Sequence, residues 1–122
     1  MDKAQGIHQF WSSFSLPAYD ENTVPDNAVM PYITYSMATG SLDDLIPLAA
    51  SLWYRSTSWA AITEKADEIE QAIVEMNPPA IKIDGGRIYL SKGSPFSQRM
   101  SEPGDSAVRR IYLNVNAEFL TN

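Results

Sequence analysis

Cysteine is absent from this 122-residue sequence, and histidine occurs once, at His8. Without thiols there is no disulfide framework, no thiolate nucleophile and no Cys-based metal site, which suits a reducing compartment. A zinc site would need three carboxylates around one imidazole, a rare donor set. Basic residues are sparse: nine Lys and Arg stand against fifteen Asp and Glu, for a net charge of −6. Neutralising a phosphate backbone takes clustered cations, and here they are scattered, so a nucleic-acid partner is not expected. Long apolar runs are missing as well. No stretch approaches the roughly 18 residues of a membrane span. The N-terminal MDKAQGIHQFWSS has no leader-like apolar core, so neither a membrane partner nor a cleaved leader is expected.

Glycine is equally thin, and the one adjacent pair, Gly85-Gly86, lacks both phosphate-binding spacings. No serine sits in a nucleophile elbow. No pair of carboxylates stands out for glycoside chemistry. His8 has no orienting partner evident in sequence and reads as structural. Asp20, Glu21 and Asp26 form an acidic cluster without the spacing or glycine of a calcium loop. Catalytic residues, cofactors and metal ligands are therefore not expected.

What is present is an ordinary globular balance, 44% hydrophobic and 20% charged, which points to one domain over residues 1–122. Its centre is the stretch from Leu45 to Met76, a buried strand (LIPLAASLWYRS) running into an amphipathic helix over 58–76. Ile62, Ala66, Ile69, Ile73 and Met76 recur at steps of three and four, the period of one helix face. Ser56, Thr57 or Ser58 can cap its start. Asn77-Pro78-Pro79 closes it. Five acids against Lys65 make the other side either a solvated face or a surface that repels its copies or attracts a basic partner.

Around this unit, residues 2–15 predict a short helix with Ile7, Phe10, Trp11 and Phe14 on a narrow aromatic face, ended by Pro17. That face either caps the core or forms a subunit-contact arm. Residues 17–30 read as a long loop rich in turn residues. PYITYSMA alternates as a strand, with Ile33, Tyr35 and Met37 facing one way. It forms an antiparallel hairpin with the strand after ATGSLDD. AIKIDGGRIYL predicts a second hairpin about Asp84-Gly85-Gly86. SKGSPFSQRMSEPGD reads as a second long loop with Phe96, Arg99 and Met100 exposed. VRRIYLNVNAEFL alternates strictly, with Ile111, Leu113, Val115, Ala117 and Phe119 on one face. The fold class expected is α+β. It comprises a mainly antiparallel or mixed sheet of four to six strands packed against one long helix, with a short N-terminal helix at its edge.

Trp53 and Trp59 flank the strand–helix junction and read as core or near-core. Tyr32, Tyr112 and Tyr89 fall on the less apolar strand faces, where aromatics mark protein contacts or lie under a loop. The segments YDENTVPDNAVMPYITY, SLWYRSTSWAAITEKADEI and IKIDGGRIYLSKGSPFSQRMSEPGDSAVRRIYLNVNAEFL resemble small tail proteins of long-tailed phages and prophages of Gram-positive bacteria, over residues 7 to 121. The order of elements is similar to that of lambda-type tail terminator, or tail-completion, proteins.

That resemblance implies a non-enzymatic virion protein of the tail or neck, assembled in the bacterial cytoplasm. It would form a homo-hexameric ring that caps the tail tube and meets the head-completion protein. The tail tube protein and the head-completion protein are the implied partners. Tyr19 and Glu21 in the first loop and Phe96 and Arg99 in the second are the candidate axial contacts. Arg110 and Tyr112, with Asn114, are candidates for a neighbour contact or the lumen. An acidic lumen would let DNA pass without retarding it. The alternatives are a head–tail joining protein of the neck, a regulator binding a host protein, and a small hydrolase or ligand-binding domain with a carboxylate pocket.

Overall fold

β6 (Val108–Thr121) sets the frame, because its alternation divides everything beside it into two faces. In the computed structural model, which describes residues 1–37, 45–75 and 80–121, six strands form one sheet in the order β1-β2-β3-β6-β5-β4. The others are β1 (Ala18–Asp20), β2 (Tyr32–Tyr35), β3 (Leu45–Arg55), β4 (Ala80–Ile83) and β5 (Gly86–Met100). α1 (Lys3–Ser12) and α2 (Ala60–Glu75) complete the fold, which is α+β. All neighbouring strands are antiparallel except β1 and β2, which run parallel. The sheet is therefore mixed.

α2 buries Ile62, Ala66, Ile69 and Ile73, four members of its predicted stripe. Ser58 Oγ accepts the Ala60 N–H at 3.1 Å, so Ser58 is the hydroxyl that serves the helix start. Met76, the expected stop at Asn77-Pro78-Pro79, and the ATGSLDD turn lie outside the described residues. α1 opens with a capping box. Asp2 Oδ1 accepts the Gln5 N–H at 2.8 Å, and Gln5 Oε1 accepts the Asp2 N–H at 2.9 Å. Ile7, Phe10, Trp11 and Phe14 are all buried, so this helix caps the core.

The position of α1 explains the shape of the sheet. It packs on both β1 and β4, the strands at the two ends of the strand order, so the sheet curls to bring its edges to one helix. Gly6 permits the approach: a Cβ there would lie 2.9 Å from Ile83 Cγ2. Both helices join one cluster with Ile33, Leu48, Leu52, Ile88, Leu113 and Phe119. They thus occupy one face of the sheet, called inner below. Two helices, rather than one long helix alone, close it.

Both expected loops are shorter than the sequence suggested. The 17–30 segment contains β1, which pairs with β2 through the register Tyr19↔Thr34. The 91–106 segment is mostly strand: β5 continues to Met100, and only residues 101–107 connect it to β6. The cause is a bulge. Lys92 pairs with Val115 and Ser97 with Leu113, so Gly93 to Phe96 face Asn114 alone. A Cβ on Gly93 would fall 2.7 Å from Asn114 Cβ, and Asn114 Nδ2 donates to the Pro95 carbonyl at 2.9 Å. Glycine and proline thus mark a bulge inside a strand, not its end. The DGG hairpin forms as expected, with Gly85 at φ +78 and Ile83 paired with Gly86.

Candidate functional site

Among the described residues, the outer face of the sheet carries no helix, and its residues cover one another. Across the strands, Tyr19, Thr34, Ser51, Tyr112 and Gln98 form one register row; Tyr32, Trp53, Arg110 and Met100 form the next. Thr34 and Ser51 are buried polar residues in the first row. Each is satisfied by a larger neighbour: Trp53 Nε1–H donates to Thr34 Oγ1 at 2.9 Å, and Arg110 Nε–H to Ser51 Oγ at 3.0 Å. The Arg110 guanidinium lies 4.7 Å from the centre of the Trp53 ring and 5.9 Å from that of Tyr112. Glu102, from the β5–β6 connection, reaches it at 3.4 Å. Tyr19 and Tyr32 meet edge to face at 5.7 Å. Rings and guanidinium are therefore held in place by one another and by the hydroxyls beneath them.

Beside this cluster runs an open groove of about 600 Å³, lined by Glu21, Ser36, Tyr112, Asn114 and Asn116 among others. The structure thus brings together four of the six expected contact residues, Tyr19, Glu21, Arg110 and Tyr112, on one face. The other two go elsewhere. Phe96 is only 9% exposed and belongs to the core, because the bulge turns its side chain inward; it is not a surface contact. Arg99 pairs with Ile111 and so lies on the inner side of β5, at the far end of the strand. Its guanidinium stacks on Trp59 at 4.7 Å, and Arg109 lies 5.3 Å from the same ring.

Trp53 is also placed differently from expectation, on the outer face rather than in the core, since Tyr54 takes the inner position next to it. Thr34, Ser51 and Glu102 belong to the cluster but were not evident beforehand. Alternation could have put Ser51 opposite Tyr112 once the β3–β6 register was known. Nothing local marks Glu102.

His8 bridges Tyr35 Oη at 2.9 Å and Ser12 Oγ at 3.2 Å, tying α1 to β2. Burial, with Asp20 nearby, pushes the Tyr35 hydroxyl above its ordinary range, so it stays a neutral hydrogen-bonding group. Among the described residues, no three His, Asp or Glu side chains converge as a metal site would require. No described helix is long and apolar enough to cross a membrane. The sequence matches no known protein family and no curated protein.

Proposed function

We propose that this chain is a structural subunit of a long-tailed phage particle. In this role it closes into a homo-hexameric ring that caps the tail tube and links it toward the head through the tail tube and head-completion proteins. The observation that carries the proposal is the bare outer face of the sheet, with Trp53, Arg110, Tyr112, Tyr19 and Tyr32 held in fixed register. Tyr, Trp and Arg are the residues that anchor protein interfaces, and their cost of ordering falls when they are held in place beforehand. The adjoining groove is open and broad, which fits a macromolecular contact better than enclosure of a small substrate.

The test is the native mass of the purified protein, alone and mixed with the tail tube protein encoded beside it. A ring in either sample, with tube length fixed on its addition, supports capping. Arg110→Ala and Tyr112→Ala should then weaken capping while leaving the fold intact. A monomer that ignores tubes removes the terminator role and turns attention to the neck.

A further inference from the structure

Among the described residues, part of β5 has no strand on its outward side. α1 closes over β1 and β4, but β4 pairs only with Gly86 to Tyr89 of β5. Beyond Tyr89 the outward side of β5 has no strand partner among the described residues. Pro95, the bulge and Lys92 spoil the first part of this edge for pairing. Ser97 to Met100 rejoin the ladder on β6, and all four are exposed. Their outward N–H and C=O groups form a template for association.

Arg99 gives this edge its charge. At the same end of the sheet, Arg109 is committed to the carbonyl oxygens of Thr57, Ser106 and Val108. Arg110 is committed to Ser51 and Glu102, and Arg55 to Asp105. Arg99 makes no hydrogen bond or ion pair among the described residues. Stacking on Trp59 fixes the plane of its guanidinium while its donors stay available.

The complementary surface lies on the other flank of α2. This helix carries five acids and one base. Glu68 is paired with Lys65 and Glu70 with Lys92. Glu64 and Asp67 have no such partner among the described residues. With Tyr54, Ala61, Glu68, Gln71 and one cation, Lys65, they line an open groove of about 540 Å³ beside β3, where acids still outnumber bases. Burial raises the Tyr54 hydroxyl above its ordinary range, and Glu68 and Glu64 raise it further, as a concentrated negative field requires. β3 and β5 flank β6 on opposite sides, so the two surfaces lie on the inner face of the sheet on opposite sides of α2.

We infer that copies of this chain join head to tail, with the acidic α2–Tyr54 groove of one copy seated against the Arg99 edge of β5 in the next. The inference rests on the proposed ring and names the two surfaces that would build it. Unlike surfaces make a heterologous contact, which closes by rotation. A two-fold contact through either surface would instead oppose like charges.

The test reverses each charge set. Arg99→Glu alone, and Glu64→Lys with Asp67→Lys in a second variant, should each weaken self-association at least about tenfold, because each opposes like charges at the junction. Circular dichroism checks that both fold. An equimolar mixture should then restore the wild-type assembly with alternating subunits, since every junction again pairs opposite charges. A merely damaged surface could not be rescued in this way. Sedimentation of the two variants and the mixture, alone and on tail tubes, reads the result. Variants that assemble like wild type, or a mixture that stays apart, overturn these surfaces and leave the ring standing. Wild-type protein that never associates, even on tubes, overturns both.

Discussion

Along β6, neighbouring residues lead different lives. Ile111, Leu113, Val115, Ala117 and Phe119 point at the helices and are almost wholly withdrawn from water. Arg110, Tyr112, Asn114, Asn116 and Glu118, each one position away, stay half-exposed on a face that neither described helix covers. A strand imposes this division through its period of two. The comparison separates two tasks on one backbone. The inner side chains contribute stability by leaving water, while the outer ones contribute little to folding and remain available for contact. The outer face is still ordered, because Trp53 and Arg110 satisfy the buried hydroxyls of Thr34 and Ser51. Order there comes from polar satisfaction and stacking, and order on the inner face comes from apolar packing.

The sharpest way to break this division is to truncate neighbours on opposite faces. Leu113 is fully buried, so Leu113→Ala loses its transfer free energy and leaves a cavity, a cost of about 3–4 kcal/mol. Tyr112→Ala removes a half-exposed ring and one weak stacking contact with Arg110, a cost of about 1 kcal/mol or less. Chemical denaturation of both variants at neutral pH makes the comparison. Equal losses would mean that the outer face is a second core and that its aromatics are not held ready for a partner.

How much of this was legible depended on whether the signal was periodic. The β6 alternation, the α2 stripe from Ile62 to Ile73 and the Asp84-Gly85-Gly86 turn each carry their structure locally, and the fold follows them. β5 does not carry its structure locally, because Gly93 and Pro95 are loop residues by composition. Only the partner strand, closing up again at Ser97↔Leu113, shows that they form a bulge. β1 is hidden from sequence for a related reason. Three residues carry no period, and the strand exists through its pairing with β2. Phe96 reads as a surface residue in sequence because its neighbours read as a loop. Alternation alone puts Arg110 and Tyr112 on the outer face, whereas Glu102 becomes visible only through the connection that folds back over Arg110.

Gly6 tests the seam that closes the inner face. Gly6→Ala should gain about 1 kcal/mol from helix propensity alone. However, its Cβ would meet Ile83 Cγ2 at 2.9 Å and Ile81 Cγ2 at 3.3 Å. Both are branched side chains in a strand that α1 holds down, and overpacking of this kind costs roughly 1–3 kcal/mol. The expected balance is a net loss of about 1 kcal/mol, seen as a lower thermal midpoint. A gain would mean that α1 rides loosely over β4 and that the inner face is less tightly sealed than the outer face is ordered.

The smallest effect concerns the connection that reaches over Arg110, and it is set by pH. Asp105 accepts the Ala107 N–H at 3.0 Å and pairs with Arg55 at 3.2 Å. These contacts, the backbone hydrogen bond foremost, hold its carboxyl below the ordinary range. A carboxyl depressed in the folded state contributes stability above its unfolded pKa of about 3.9, and that contribution is lost as pH falls through the folded value. Asp105→Asn should therefore be slightly less stable than wild type at pH 7, with the gap closing below about pH 4. The group is exposed, so added salt should narrow the gap at neutral pH as well. Denaturation midpoints of the two proteins at both pH values, with and without salt, measure it. A gap that persists in acid would show that Asp105 acts through the shape of its turn, which asparagine does not reproduce, and not through charge.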